Sequence, residues 1–314
     1  MVDLQPHTLA RLDAAADAPD DAAAWVAAHR SDIDALVAQH GAVLVRGLPL
    51  ADRGSAVAAV REVIGTGLVE REGFAPREQY APGVYSSSQW PADQPMCMHH
   101  ELSYAAEAPR VLAFACCTPP RRGGVTGLAD ARAVLADLPA ELVARFEREG
   151  WLLQRHYNPF VGLSWQDAFG VAERAQVEEY CAARGITTRW SEDGGLHTTQ
   201  RCPAVVHHPE SGERCWFNQI AFLNGWTLAP DVREFLISEF GPDALPFDTR
   251  YGDGTALEPA TVDLINEVYE RHTVREPWQR GDLLVVDNVR VAHSREPYRG
   301  EREIIVGLGG SFAQ

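Results

Sequence analysis

Apolar positions recur in two rhythms along this chain. From residue 20 to 40, Trp25, Val26, Ile33, Leu36 and Val37 return at helical spacing, and Gly41 follows as a stop. That pattern predicts an amphipathic helix. The run Ala42-Val43-Leu44-Val45-Arg46 is too short and too continuously apolar for a helix face and predicts a buried strand. Helical spacing returns over residues 51–64, 139–149, 166–185, 231–240 and 260–273, with Pro139 suited to a first helical position. Strand patterns fall at 111–117, 204–208, 214–218, 282–286, 289–295 and 302–308, and residues 86–101 are extended. Strands bracket helices at irregular spacing. There is no β-α-β metre and no glycine-rich strand-turn-helix for a nucleotide. The predicted class is mixed α/β and β-rich, with a barrel or jelly-roll core carrying helical insertions.

Composition narrows this picture. With 314 residues and 46% hydrophobic content the chain can bury a large core, and no low-complexity linker divides it. A single domain over 1–314 is expected, with N-terminal helices over about 1–65 packed on the core and a helical insertion over about 130–200. The net charge is −16, and all 28 basic residues are arginine. Such an acidic chain lacks the basic footprint of a nucleic-acid binder or of a protein drawn to anionic membrane. No apolar run reaches about 18 residues, and Met1-Val2-Asp3-Leu4-Gln5-Pro6 has no signal-peptide character. The six cysteines form no C-x-x-C pair, which fits reduced thiols in the cytoplasm.

The candidate chemistry begins at Met96-Cys97-Met98-His99-His100-Glu101. On a strand, His99 and Glu101 point together while His100 points away. With a distant His293 they would form two imidazoles and a carboxylate on one face of a metal, the facial arrangement of non-haem Fe(II) oxygenases. H-x-E is a short word, and the sequence holds a second copy, His208-Pro209-Glu210, which runs into Ser211-Gly212 between two strand patterns. Proline and glycine belong in a hairpin turn, so this copy reads as structural. Near the C-terminus, residues 289–295 and 302–308 are expected to pair as a hairpin across 296–301. That would put His293, Arg295, Arg302 and Ile304 on one face. An arginine there could hold a carboxylate through a bidentate fork.

These stretches, taken with others in the same order, resemble the taurine dioxygenase-like (TauD/TfdA) Fe(II)/2-oxoglutarate oxygenases, nearest to the SyrP-like hydroxylases of amino-acid natural products. The matching words are Gly41-Ala42-Val43-Leu44-Val45-Arg46-Gly47, Tyr85-Ser86-Ser87-Ser88, His99-His100-Glu101-Leu102-Ser103-Tyr104 and Gly123-Gly124-Val125-Thr126. Further along come Trp216-Phe217-Asn218-Gln219, Tyr251-Gly252-Asp253-Gly254, Asp287-Asn288, His293-Ser294-Arg295 and Gly300-Glu301-Arg302. They span about residues 41–308. The resemblance implies a double-stranded β-helix (jelly-roll, cupin-like) core. It implies His99, Glu101 and His293 as iron ligands and catalytic centre, Thr126 and Arg302 on the 2-oxoglutarate carboxylate, and Fe(II), 2-oxoglutarate and O2 as cofactors. A carboxylate at Glu101 argues for oxygenation and against the halogenases of this superfamily, which carry a small residue there. The chain departs from taurine dioxygenase in having Glu101 rather than Asp and Arg302 as the only arginine on the last strand. His156 also replaces an asparagine common in relatives.

Ser88, Tyr104, His156, Trp216, Asn218, Gln219 and Arg295 are candidate substrate contacts. The expected substrate is a small amino-acid-like molecule, hydroxylated at an unactivated C–H. Alternatives are an aminoacyl or peptidyl group on a carrier protein, docked at a patch such as Arg110, Arg121 and Arg122, or desaturation, epoxidation or cyclisation in place of hydroxylation. A zinc hydrolase or a non-catalytic metal-bound jelly-roll binding protein is the rival from other classes.

Overall fold

A computed structural model describes residues 9–17, 19–157, 162–192, 194–241 and 245–313. The Met1–Pro6 segment, read as lacking a signal peptide, lies outside them. Among the described residues no helix is long and apolar enough to cross a membrane. All six cysteines are free.

The fold is mixed α/β and sheet-rich. Its larger sheet has seven strands in the spatial order Ala10–Asp13, Ala42–Arg46, Leu283–Asp287, Val111–Thr118, Glu303–Gly309, Val84–Ser86, Gln79–Ala81. A four-stranded sheet, Thr273–Arg275, Gly127–Asp130, Val291–Arg295, Met96–His99, shares a core with it. Leu44, Leu112, Phe114, Leu284 and Val306 from the larger sheet meet Met96, Met98, Leu128 and Ala292 from the smaller. On its other face the larger sheet packs Val43, Val45, Ala113, Ala115, Val285 and Ile305 against Ala56, Ala59, Val60 and Val63 of the helix Arg53–Ile64. Its central strands are therefore buried on both faces, which is why their sequences read as unbroken apolar runs. The helix approaches closely: a Cβ on Gly307 would stand 2.4 Å from a Val60 methyl.

Several boundaries differ from the sequence expectation. The 20–40 helix is two, Ala22–Ala28 and Arg30–His40. His29 breaks it (φ −104°, ψ 13°), its ring stacked on Trp25 and its Nδ1 2.9 Å from the Trp25 carbonyl oxygen. The 166–185 helix is also two, Trp165–Phe169 and Arg174–Ala182, separated where Gly170 turns left-handed. The helix Ala131–Asp137 was not expected. Nor was a whole sheet, ordered Thr187–Trp190, Leu196–Cys202, Trp151–Tyr157, Phe247–Tyr251. Its strands do alternate, but Arg155, Thr198, Gln200 and Thr249 are among their buried positions. Polar residues facing inward erase the apolar-polar signal.

The C-terminal hairpin is a correction. Val291–Arg295 pairs with Met96–His99 and Gly127–Asp130 in the smaller sheet, whereas Glu303–Gly309 pairs with Val111–Thr118 and Val84–Ser86 in the larger. The connection crosses between sheets. His293 and Arg302 still line one cavity. The turn read at His208-Pro209-Glu210 is present, joining the antiparallel pair Val205–His207 and Arg214–Trp216. His208 is buried there with Nε2 2.8 Å from an Asp287 carboxylate oxygen.

Candidate metal centre and oxoacid pocket

Antiparallel register sets His293 directly opposite His99, with ring centroids 4.3 Å apart. The strand ends at His99, so Glu101 does not reach the site by strand alternation as expected. It sits in a turn in which Leu102 takes a left-handed φ of 52°. Asn288 clamps that turn. Its Oδ1 accepts from the Glu101 N–H at 2.8 Å, and its Nδ2 donates to the carbonyls of Glu101 (3.0 Å) and Pro109 (2.7 Å). His100 points away: its Nδ1 donates to the Asn288 carbonyl at 2.5 Å. Burial pushes the His100 pKa down to about 4.

Glu101 Oε2 lies 3.9 Å from His99 Nε2 and 3.6 Å from His293 Nε2. One ligand atom from each residue falls within 4.8 Å of the others, and all three side chains are buried. The His99 Nδ1–H donates to the Cys97 carbonyl at 2.8 Å, which fixes the tautomer and aims the Nε2 lone pair inward. Among the described residues that buried Nε2 has no hydrogen-bond partner. Burial holds both His99 and His293 below the ordinary imidazole range, in the neutral form that binds a metal. Phe222 stacks on His99 at 4.5 Å and Phe114 tilts against His293 at 5.2 Å. A divalent ion fits this donor set, since an orphaned nitrogen, a second imidazole and a carboxylate converge in an aromatic surround.

Beside these three candidate donors the cavity is lined by Arg77, Ser87, Ser88, Met96, Phe114, Thr126, Ser294, Arg295, Arg302 and Val306. Arg302 donates to the Gly124 carbonyl and to Ser87 Oγ, both at 3.3 Å. Gly124 (φ +70°) allows that approach; a Cβ there would press on Pro120, Tyr298 and Arg302. Burial, with the Arg295 charge adding to it, lowers the Arg302 pKa to about 10, so it stays cationic at neutral pH. Neither arginine has a carboxylate within ion-pair distance among the described residues. A cation set in the cavity wall without a counter-ion is suited to an anionic ligand. Two imidazoles, a carboxylate and an anion clamp in one cavity can hold a metal and a chelating oxoacid together.

A sequence model of the taurine catabolism dioxygenase TauD, TfdA family matches residues 4–308. The chain belongs to the TauD/TfdA family. It is thus an iron(II)- and 2-oxoglutarate-dependent dioxygenase that uses O2. It is 32% identical over 276 residues to the dapdiamide synthesis protein DdaC of Enterobacter agglomerans, covering 88% of this chain and 84% of that one. It is 29% identical over 288 residues to a clavaminate synthase-like protein of Arabidopsis thaliana, covering 88% and 83%. The PvcB protein of Pseudomonas aeruginosa shares the fold, with a TM-score of 0.52 at 15% identity over 98% of this chain and 89% of that one.

The candidate substrate residues of this TauD/TfdA protein divide sharply. Ser88 and Arg295 reach the cavity, yet Arg295 donates to the carbonyls of Trp90, Pro91 and Gln94 and so ties down the loop beside it. Tyr104 donates its hydroxyl to the Glu72 carbonyl. Asn218 and Gln219 donate to the carbonyls of Ala204 and His100. Trp216 is fully buried against Phe146. None of these four lines the cavity. His156 lies in a separate, larger hollow of about 310 Å³ against about 40 Å³ at His99, Glu101 and His293. Volume does not identify the site: a groove of about 690 Å³ that includes Ser87, Ser88, Arg295 and Arg302 exceeds both, and the donor chemistry picks the smallest of the three. Sequence reasoning missed Arg77 and Phe222, which sit in no periodic pattern or spaced motif. Asn288 had been visible only as part of the Asp287-Asn288 word.

Proposed function

We propose that this dioxygenase hydroxylates an unactivated C–H of a small amino-acid-like substrate in natural-product biosynthesis, in the cytoplasm. His99, Glu101 and His293 hold Fe(II), and Arg302 with Thr126 receives the distal carboxylate of 2-oxoglutarate. When bound, iron with 2-oxoglutarate and O2 supplies the oxidising power, and the oxoacid leaves as succinate and CO2. The protein supplies placement: the substrate C–H is held toward the iron, and the aromatic wall of Phe74, Phe114 and Phe222 limits water. The two sheets that share a core are read as the double-stranded β-helix of a single catalytic unit.

The observation carrying this reading is the unpaired cation at Arg302 in the same cavity as the histidine–carboxylate set. A metal-bound scaffold has no use for an oxoacid clamp, and aerobic Fe(II) dependence separates the dioxygenase from a zinc hydrolase. The amino-acid direction is supported by the relation to a dapdiamide synthesis protein. Of the arginines suggested for carrier docking, Arg110 is engaged with Glu210, which favours a free substrate.

Succinate release from 2-oxoglutarate under Fe(II) and O2 tests the chemistry. A panel of free amino acids and the same residues as carrier thioesters tests the substrate. We expect coupled succinate with a free amino-acid-like compound, lost in His99→Ala and not restored by Zn(II). Absence of both coupled and uncoupled succinate would overturn the reading. Turnover with the thioesters alone would move the substrate to a carrier.

A further inference from the structure

We propose that Arg77 is a positioning residue that makes Glu101 a one-oxygen ligand, by holding Oε1 and leaving Oε2 for the metal. Arg77 is buried, and its Nη2 donates to Glu101 Oε1 at 3.1 Å. Its Nε donates to Ser88 Oγ at 2.8 Å. Its Nη1 stands 3.6 Å from Glu70 Oε2. The other Glu101 oxygen is the one that faces His99 and His293. The two carboxylate oxygens thus have separate assignments before any ion arrives.

Counting positions shows why this matters, and the count rests on the function proposed above. A six-coordinate ion takes two positions from the histidines. A glutamate chelating through both oxygens would take two more, and an oxoacid the last two, with none left for O2. A glutamate bound through one oxygen leaves the position free. Glutamate's extra methylene lets it swing into chelation, so it needs a restraint. A guanidinium on Oε1 is such a restraint, because turning that oxygen to the metal would strip a buried cation of its partner.

The arginine is itself held firmly. Its loop contains Glu72 at a left-handed φ of 60°, a conformation that persists only where surroundings enforce it. Tyr104 and Arg155 donate to the Glu72 carbonyl, Arg155 also donates to the Gly73 carbonyl at 2.7 Å, and the Glu72 N–H donates to Ala168 at 2.7 Å. Tyr104 and Ser88, considered above as substrate contacts, thereby belong to the support of the metal carboxylate.

The test uses Mn(II) alone, without 2-oxoglutarate or O2. Infrared difference spectra on Mn(II) binding, assigned through Glu101→Asp, report the separation of the carboxylate stretches. That separation is wide for one-oxygen and narrow for two-oxygen coordination. Wild type should show the wide separation. Glu70→Gln/Arg77→Met, which removes the cation and the acid it compensates together, should show the narrow one. Its Mn(II) affinity should fall roughly 10- to 100-fold with the metal-free melting temperature unchanged. A narrow separation in wild type overturns the proposal without any variant. So does a double variant that keeps the wide separation with an affinity within about twofold of wild type. A protein that shows the expected signatures but never decarboxylates 2-oxoglutarate would overturn the proposed function and leave this role of Arg77 standing.

Discussion

His99 and His293 face each other across an antiparallel strand pair, and so do His156 and His197. The first pair lies between two sheets, its rings tilted by 50° with nitrogens turned toward a shared carboxylate. The second lies on the outward face of the third sheet, its rings stacked 3.8 Å apart and nearly parallel at 16°. Arg189, Asp248 and Arg250 surround that second pair. Among the described residues, only the first pair has a third ligand within reach. Facing histidines are thus not enough. What distinguishes the site is a third donor delivered by a clamped turn, ring tilt that aims lone pairs at one point, and burial that keeps the imidazoles neutral.

The largest effect should come from breaking the first pair. His99→Ala or His293→Ala should weaken Mn(II) binding by more than about 100-fold, beyond the usual loss for an outer-shell change. His156→Ala/His197→Ala should leave it within about twofold. Calorimetric titration of the metal-free protein reads both, and equal losses would erase the contrast. Next in size is the anion side. Arg302→Met should cost about 2–4 kcal/mol of 2-oxoglutarate binding, roughly 30- to 1,000-fold, as for removing one partner of a buried charge pair. Titrating 2-oxoglutarate into Mn(II)-loaded protein measures it, and an unchanged affinity would move the clamp elsewhere.

The second H-x-E copy sharpens the comparison further. His208→Ala should lower unfolding free energy by about 1–3 kcal/mol, because Asp287 loses a buried partner. Mn(II) affinity should not move. Urea unfolding alongside the metal titration separates the two outcomes.

The smallest contrast sets Glu101 against Glu72. Glu101 has an arginine on one oxygen, whereas the Glu72 carboxylate accepts a hydrogen bond from the Tyr180 hydroxyl at 2.7 Å. Burial pushes the Glu72 pKa above its ordinary value of 4.5. The folded state therefore keeps a proton that the unfolded chain has released. Its contribution is full below the ordinary carboxylate pKa and is lost as pH rises through the folded value. Glu72→Gln should flatten that decline in a pH series of melting temperatures. An unchanged slope would mean that Glu72 titrates normally.

The sequence by itself singled out the candidate metal donors His99, Glu101 and His293, the structural role of the second H-x-E copy at His208 and the buried strands of the larger sheet. Each is written locally, as residue type, short spacing, or an apolar run. The third sheet escaped notice because Arg155, Thr198 and Gln200 point inward and interrupt its alternation. Tertiary structure alone decided that His293 and Arg302 line one cavity although the strands Val291–Arg295 and Glu303–Gly309 belong to different sheets and form no hairpin. It alone brought Arg77 to Glu101 and placed His156 outside the cavity. Chain crossings and the pairing of buried charges depend on which surfaces pack together, and spacing along the chain does not encode that.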